Sequence, residues 1–438
     1  MKLKKQLAAA VSTALLSSMV LAACSQQSPA PKDGAAASAK KQPVKLKFWG
    51  GVPPESGPQE AVDAWNAQNP DIQVEYVRYV NNDEGNLKLD TALLTSQDVD
   101  LFVNYRLPQY KKRIEAGMIY DISQYKDFDI EGKMGPSAKE YVYNGKYFGV
   151  PTVLDLKYVM LNKDLLDAAG LPVPFDWTWD DMKQYANKLK QDKRWGLVQF
   201  DYVLYDPIDG SLDSLGFTKS DNTSNFDHPY VKQHLQTLHD MMLKDKSTPT
   251  LVEQLTTKMP VDTVFLKGEA GILNAGYWVF RNSNDLKNFP RNFKIAFAPV
   301  PRLSKDQKDF KILGGVADTL CISSKTKYPE EAWKFIKWYA DGGMLPMAKG
   351  GRIPASKDIN MDQVLKLLMG DAEKTYDVES FKKVLADTTP RYQLKIEQQV
   401  VDLRNEEMEK FFGGNKTLDQ AVNDMVKRHN DFLKQQKK

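Results

Sequence analysis

The chain is poor in cysteine and histidine. Two cysteines and four histidines in 438 residues permit at most one disulfide, so the folded body depends on its core. Its length allows this, because longer chains bury a larger share of their surface. The same scarcity argues against a zinc centre, which needs several sulfur or imidazole ligands held together, and no metal or cofactor is expected. No uncharged run approaching about 20 residues follows the amino-terminal segment, so no membrane-crossing helix is expected in the body. Neither a phosphate-binding glycine loop nor a G-x-S-x-G nucleophile turn occurs. Adjacent acids such as Asp180-Asp181 and Glu330-Glu331 begin helices. They cannot face each other across the roughly 5–10 Å that glycoside hydrolysis requires, so the chain does not read as an enzyme.

What is present begins with a leader. Lys2, Lys4 and Lys5 precede an uncharged, apolar or small run from Leu7 to Ala22. This run is too short to span a bilayer and has the shape of an export signal. Leu21-Ala22-Ala23-Cys24 resembles the lipobox of bacterial lipoproteins, which implies cleavage before Cys24 and acylation of that cysteine. The alternative is a secretory signal with an incidental cysteine. Cleavage removes three lysines and no acid, taking the formal net charge from +3 to 0. A neutral body argues against a nucleic-acid partner, which would want a basic excess. Residues 1–23 are therefore expected to be a signal peptide and 24–43, rich in Ala, Ser, Lys, Pro and Gln, a flexible tether. The protein would sit on the outer face of the cell membrane, and signal and tether lean towards a Gram-positive cell. With Cys24 acylated, Cys321 in "GGVADTLCISS" reads as a small buried hydrophobe.

From Val44 onward the pattern alternates. "VKLKFWG" has period-two apolarity, "QEAVDAWNAQNPD" has helical spacing and stops at Asn69-Pro70, and "IQVEYVRYV" is strand-like. A helix-compatible stretch from Asp83 and the short strand "DVDLFV" follow. This order implies an α/β fold with a mostly parallel sheet flanked by helices, and ligand beyond the carboxyl ends of the strands. Trp49, Gly50, Asn104, Tyr105 and Arg106 then share one rim. Thr178 and Asp181 form a variant capping box ahead of the stripe Met182, Tyr185, Ala186, Leu189. "YPEEAWKFIKWYADGG" carries Pro329 in its first turn and glycines at its stop. The last seventy or so residues read as helical, broken at Gly413-Gly414. "DPIDGSLDS" reads as a polar loop whose acid spacing is too incomplete for a calcium site.

"NGKYFGVPTVLDLKYVMLNKDLLDAAGLPVPFDWTWDDM" resembles extracellular solute-binding proteins of ATP-driven importers, specifically the carbohydrate-binding, maltose-binding-protein-like members of solute-binding family 1. "FWGG", "FLKGEAGILNAGYW", "FAPVPR", "GGVADTLCISS" with "EEAWKFIKWY", and "GGRIPAS" resemble the same family in the same order. The resemblance implies two α/β lobes, 44–150 with 314–343 and 151–313 with 344–438, closing on a ligand at the hinge. It implies a monomer that binds a carbohydrate, an oligosaccharide, and docks on permease subunits. Trp278 matches a sugar-stacking tryptophan, with Tyr277 beside it, and Asp155 matches an acidic sugar contact. Arg352 is placed near the cleft, where a pair of arginines would point to an acidic sugar. Leu161 stands where the family often has tyrosine, so that contact falls elsewhere, with Tyr158 a candidate. A non-sugar solute in the same fold, or a secreted carbohydrate-active enzyme, are the competing readings.

Overall fold

The computed structural model describes residues 42–95 and 98–436. The leader, Cys24 and most of the tether lie outside the described residues. Nine strands longer than two residues form two sheets: β1 (Val44–Gly50), β2 (Ile72–Arg78), β3 (Leu101–Asn104), β4 (Gly149–Asp155), β5 (Lys157–Asn162), β6 (Trp195–Gln199), β7 (Ala270–Gly276), β8 (Ile295–Ala298) and β9 (Gly315–Ile322). The first sheet has the order β2-β1-β3-β9-β4 and the second β8-β5-β7-β6. β1 runs parallel to both β2 and β3, as the alternating strand and helix pattern predicts.

The rest of the pairing is less parallel than the sequence implies. β9 is antiparallel to β3 and β4, and β5 is antiparallel to β7 and β8, while β6 and β7 run parallel. The cause is connectivity. A parallel neighbour requires a long crossover, but β4 passes into β5 of the other sheet with only Leu156 between them. β9 likewise follows directly on Ile312–Leu313 and Gly314. Strands that enter a sheet from the other sheet arrive from the opposite end. The chain thus passes from the first sheet to the second at Leu156. The third segment, Ile353–Ala355, lies along β4, with Leu154 N–H donating to the Ile353 carbonyl at 2.8 Å and Ala355 N–H to that of Thr152 at 2.8 Å.

Alternation sets which side chains fill which layer. In β5, Val159 and Leu161 join the core on one face of the second sheet, whereas Tyr158 and Met160 join that on the other. Both faces are apolar because helices cover both. Tyr158 is fully buried, edge-on to Phe280, Phe297 and Phe381, so it is a core residue and not the replacement sugar contact. Leu161 is fully buried too. The helix Trp179–Leu189 starts at Thr178, whose hydroxyl caps Asp181 N–H while the Asp181 carboxylate returns to Thr178 N–H. A cap of this kind is worth about 1 kcal/mol. The helix buries Trp179, Met182, Ala186 and Leu189; Leu189→Ala would open a cavity costing about 2–5 kcal/mol.

"DPIDGSLDS" is not a loop. Asp206–Leu215 is a helix with Pro207 in its first turn, acids at its positive end and Ile208 and Leu212 four apart in the core. Spacing of that kind favours a helix, and two of the acids that resembled loop ligands are ion-paired, Asp209 with Arg404 and Asp213 with Lys311. The carboxyl-terminal region is mostly helical, with Gln398–Phe412 and Leu418–Gln435 separated at Gly413-Gly414. Cys321 is fully buried, and burial pushes its thiol well above the usual range. Among the described residues no helix is long and apolar enough to cross a membrane.

Candidate functional site

The parallel strands of both sheets end facing one region. In the first sheet β1, β2 and β3 finish at Gly50, Arg78 and Asn104. In the second, β6 finishes at Gln199 and runs into Phe200-Asp201-Tyr202, and β7 finishes at Gly276 and runs into Tyr277-Trp278. Carboxyl ends of strands are where such sheets place ligands.

On the second-sheet side the residues are aromatic. Phe200 and Tyr202 stack with centroids 5.1 Å apart and planes 21° apart. Trp278 lies 6.0 Å from Phe200 and 6.2 Å from Tyr202. Gly276 makes this possible, since a Cβ there would sit 2.3 Å from the Trp278 ring. Trp278 is half-buried, with an indole N–H that has no protein partner, and Tyr202 is 54% exposed. Lys157 Nζ stands 4.4 Å from the centre of the Trp278 ring and pairs with Asp155 at 2.7 Å. Phe200 and Tyr202 escaped the sequence reading. Their signal was an aromatic pair just past a strand end, in "QFDYVLY".

On the first-sheet side Tyr105 lies at the rim, its hydroxyl oxygen accepting from Gly51 N–H at 2.6 Å. Arg106 is exposed and makes no side-chain ion pair among the described residues. Its positive charge lies close enough to act on the Tyr202 hydroxyl on the other side. Gly50 takes its place for steric reasons, since a Cβ would lie 2.6 Å from the Tyr76 hydroxyl.

Two of the expected contacts are engaged inside the first lobe. Trp49 is 8% exposed, its indole N–H donates to the Asp98 carbonyl at 3.0 Å, and it packs in the core. Asn104 is 1% exposed, with its amide donating to the Arg106 carbonyl at 2.8 Å and its oxygen accepting from Arg113. Both shape the rim from below.

Between the two sides sits a buried polar knot. Tyr277 donates to Asp318 Oδ1 at 3.2 Å, Arg352 Nε donates to Asp318 Oδ2 at 3.4 Å, and the Arg352 guanidinium lies 5.5 Å from the centre of the Tyr277 ring. Burial holds the Asp318 carboxyl above its usual range while Arg352 opposes that. Nothing in "VADTL" singles out Asp318, which reads as one more strand position. Lys157 lines a small cavity of about 10 Å³ together with Asp206, Asn274 and Phe310. Burial pushes the Asp206 carboxyl up to about 8, with Lys157 opposing. Trp278, Tyr277, Asp155, Arg352, Tyr105 and Arg106 are thus assembled around one cleft, with rings on one wall and carboxylates, guanidiniums and an ammonium around it. Rings cover apolar faces, and the polar arms take hydroxyls in pairs.

Residues 50–341 match the model of the bacterial extracellular solute-binding protein family. The chain belongs to that family. Among characterised relatives, the sn-glycerol-3-phosphate-binding periplasmic protein UgpB of Escherichia coli K12 is 24% identical over 433 residues, covering 89% of this chain and 92% of its own. The UgpB of Shigella flexneri matches to the same extent. Among solved structures, the ABC substrate-binding protein Lmo0181 from Listeria monocytogenes, in complex with cycloalternan, superposes with a TM-score of 0.74 at 22% identity, covering 90% of this chain and 99% of its own. Maltose-bound MalE3 of T. maritima gives 0.70 at 21% identity, covering 89% and 100%. The two-sheet, two-lobe architecture of this solute-binding protein is the one these structures have.

Proposed function

We propose that this solute-binding protein captures a carbohydrate, an oligosaccharide, between its lobes and delivers it to the permease of an ATP-driven importer. The observation that carries this reading is the aromatic platform of Phe200, Tyr202 and Trp278 facing the polar arms of Asp155, Arg106 and Arg352. A platform of rings suits the flat apolar face of a hydroxyl-rimmed solute. Relatives described as bound to cycloalternan and maltose support the same class. The lobes divide at Leu156 and Gly314, with residues 344–355 as the third crossing, and the protein acts as a monomer without chemistry of its own. Cys24 anchors it by lipid to the outer face of the membrane, with 24–43 as tether and 1–23 as signal.

Titration with a panel of neutral and acidic oligosaccharides, followed by tryptophan fluorescence, tests the central claim. Saturable quenching or enhancement by an oligosaccharide is expected, with the sugar recovered intact. Silence across the panel, or release of cleaved product, would overturn it. For the anchor, Cys24→Ala is expected to release the protein from the membrane fraction, and continued retention would refute acylation there.

A further inference from the structure

Three arginines meet at one corner of the cleft. β2 ends on Arg78, which is paired in register with Gly50 at the end of β1. From Gly50 the chain enters the turn Pro54–Ser56, which lies against Gly350: a Cβ on Gly350 would be 2.5 Å from the Ser56 carbonyl oxygen. The next glycine, Gly351, touches the second lobe. A Cβ there would lie 2.5 Å from the Tyr277 carbonyl oxygen and 3.4 Å from Phe280 Cβ. Arg352 follows Gly351 and Arg281 follows Phe280, so their backbones are neighbours where the rims meet.

Only one of these three cations is matched by an ion pair among the described residues. Arg352 is paired with Asp318. Arg78 and Arg281 form no ion pair among the described residues. Among the described residues, the only side-chain hydrogen-bond partner of Arg281 is Asn282 Oδ1 at 3.5 Å. Two carboxylates face it. Asp262 is occupied, accepting from Thr263 N–H at 2.8 Å and from the Asn282 amide at 2.6 Å. Glu55 is exposed, where solvent and salt screen it. Burial first, then Arg352, disfavour the charge on Arg281, with Arg78 adding to this and Asp262 and Glu55 opposing it. A half-buried guanidinium crowded by like charge gains most from an incoming anion, which it can grip with a planar fork of donors.

We propose that this corner seats an anionic group on the ligand, a carboxylate or a phosphate ester, gripped by Arg281 and Arg78 while Trp278 covers the apolar face of the same molecule. This rests on the carbohydrate reading and narrows it to an acidic sugar. Calorimetry on the full-length protein would use galacturonate oligosaccharides, hexose phosphates and the neutral counterpart of each, at low and high salt. A charged probe is expected to bind at least about tenfold tighter than its neutral counterpart, with the advantage shrinking at high salt. The uronate and phosphate arms identify which anion it is. Arg281→Met is expected to remove that advantage and spare neutral sugars, and Arg281→Lys to restore part of it. Arg78→Gln, at an exposed position that folding tolerates, is expected to lower it as well. Equal affinity for charged and neutral probes overturns the proposal and leaves the carbohydrate reading standing. So does an advantage untouched by both arginine substitutions, which moves the anion elsewhere. Absence of binding by every probe defeats the carbohydrate reading itself and takes this proposal with it.

Discussion

Tyr277 donates its phenolic hydrogen to Asp318, joining the turn that leaves the second sheet to the interior of a first-sheet strand. Asp318 holds φ at +49°, a left-handed conformation within β9. Register is kept on either side, with Ala317 opposite Val153 and Thr319 opposite Pro151. The Thr152 hydroxyl bonds the Asp318 carbonyl at 2.8 Å and steadies the kink. Backbone strain of this sort costs of the order of 1–3 kcal/mol and persists where the surroundings over-determine it. Here the surroundings are Tyr277 and Arg352.

Asp318→Ala should therefore destabilise the protein by about 3–5 kcal/mol, because it leaves the Arg352 charge buried without its partner. Tyr277→Phe removes one bond to a charged group and should cost about 1.5–3 kcal/mol. Urea unfolding of both variants measures this. Equal, negligible changes would mean that the knot contributes nothing to holding the lobes together.

Trp278→Ala is expected to weaken ligand binding by about 2 kcal/mol or more, roughly thirtyfold in Kd. Tyr202→Ala should act in the same direction, since the two rings share one platform. Trp49→Phe, in contrast, should lower stability through the lost Asp98 bond and leave affinity nearly intact. Calorimetric titration beside thermal melting separates the two effects.

Gly314→Ala should impair the crossing between lobes. Gly314 has φ of 147°, and an added Cβ would lie 2.3 Å from the Asp155 carbonyl oxygen. Both the conformation and the space exclude a side chain. A lower melting temperature together with altered affinity is expected, because Asp155 borders the cleft. An unchanged melting temperature would show that the crossing relaxes freely.

Asp206 should make stability fall as pH rises. An unfolded aspartate loses its proton near pH 4, while the folded one keeps it to about 8. Between those values the folded state binds more protons than the unfolded state. The free energy of unfolding then decreases with pH across that window. Asp206→Asn stays neutral throughout, so its melting temperature should decline less between pH 5 and pH 8.5 than that of the natural protein. Parallel pH profiles would place the Asp206 carboxyl outside the buried environment described.

Much of the fold can be read locally. The stop at Asn69-Pro70, the Thr178–Asp181 cap and the Pro329 start each depend on a few adjacent residues. Trp278 stood out because it follows a strand in "AGYW" and matches the family's sugar-stacking tryptophan. Trp49 carried much the same signal, a tryptophan followed by glycines after a strand, yet it is built into the core. The difference lies in what packs on each ring. Asp98 and Lys88 reach Trp49, whereas Trp278 meets Phe200, Tyr202 and Lys157 at the cleft wall. The helix at Asp206 was missed because its acids drew attention from the apolar pair Ile208 and Leu212.

By itself, then, the sequence determined the period of most strands and helices and an ordered set of motifs sufficient to resemble a family. Those features are set within one or two turns of chain, by spacing, capping and the exclusions of proline. The tertiary structure alone decided the direction in which strands pair, which tryptophan faces the cleft, and the meeting of Arg78, Arg281 and Arg352. Each depends on segments far apart in the chain whose mutual placement follows from packing of whole layers, and no local pattern of apolar residues records which distant face will lie opposite.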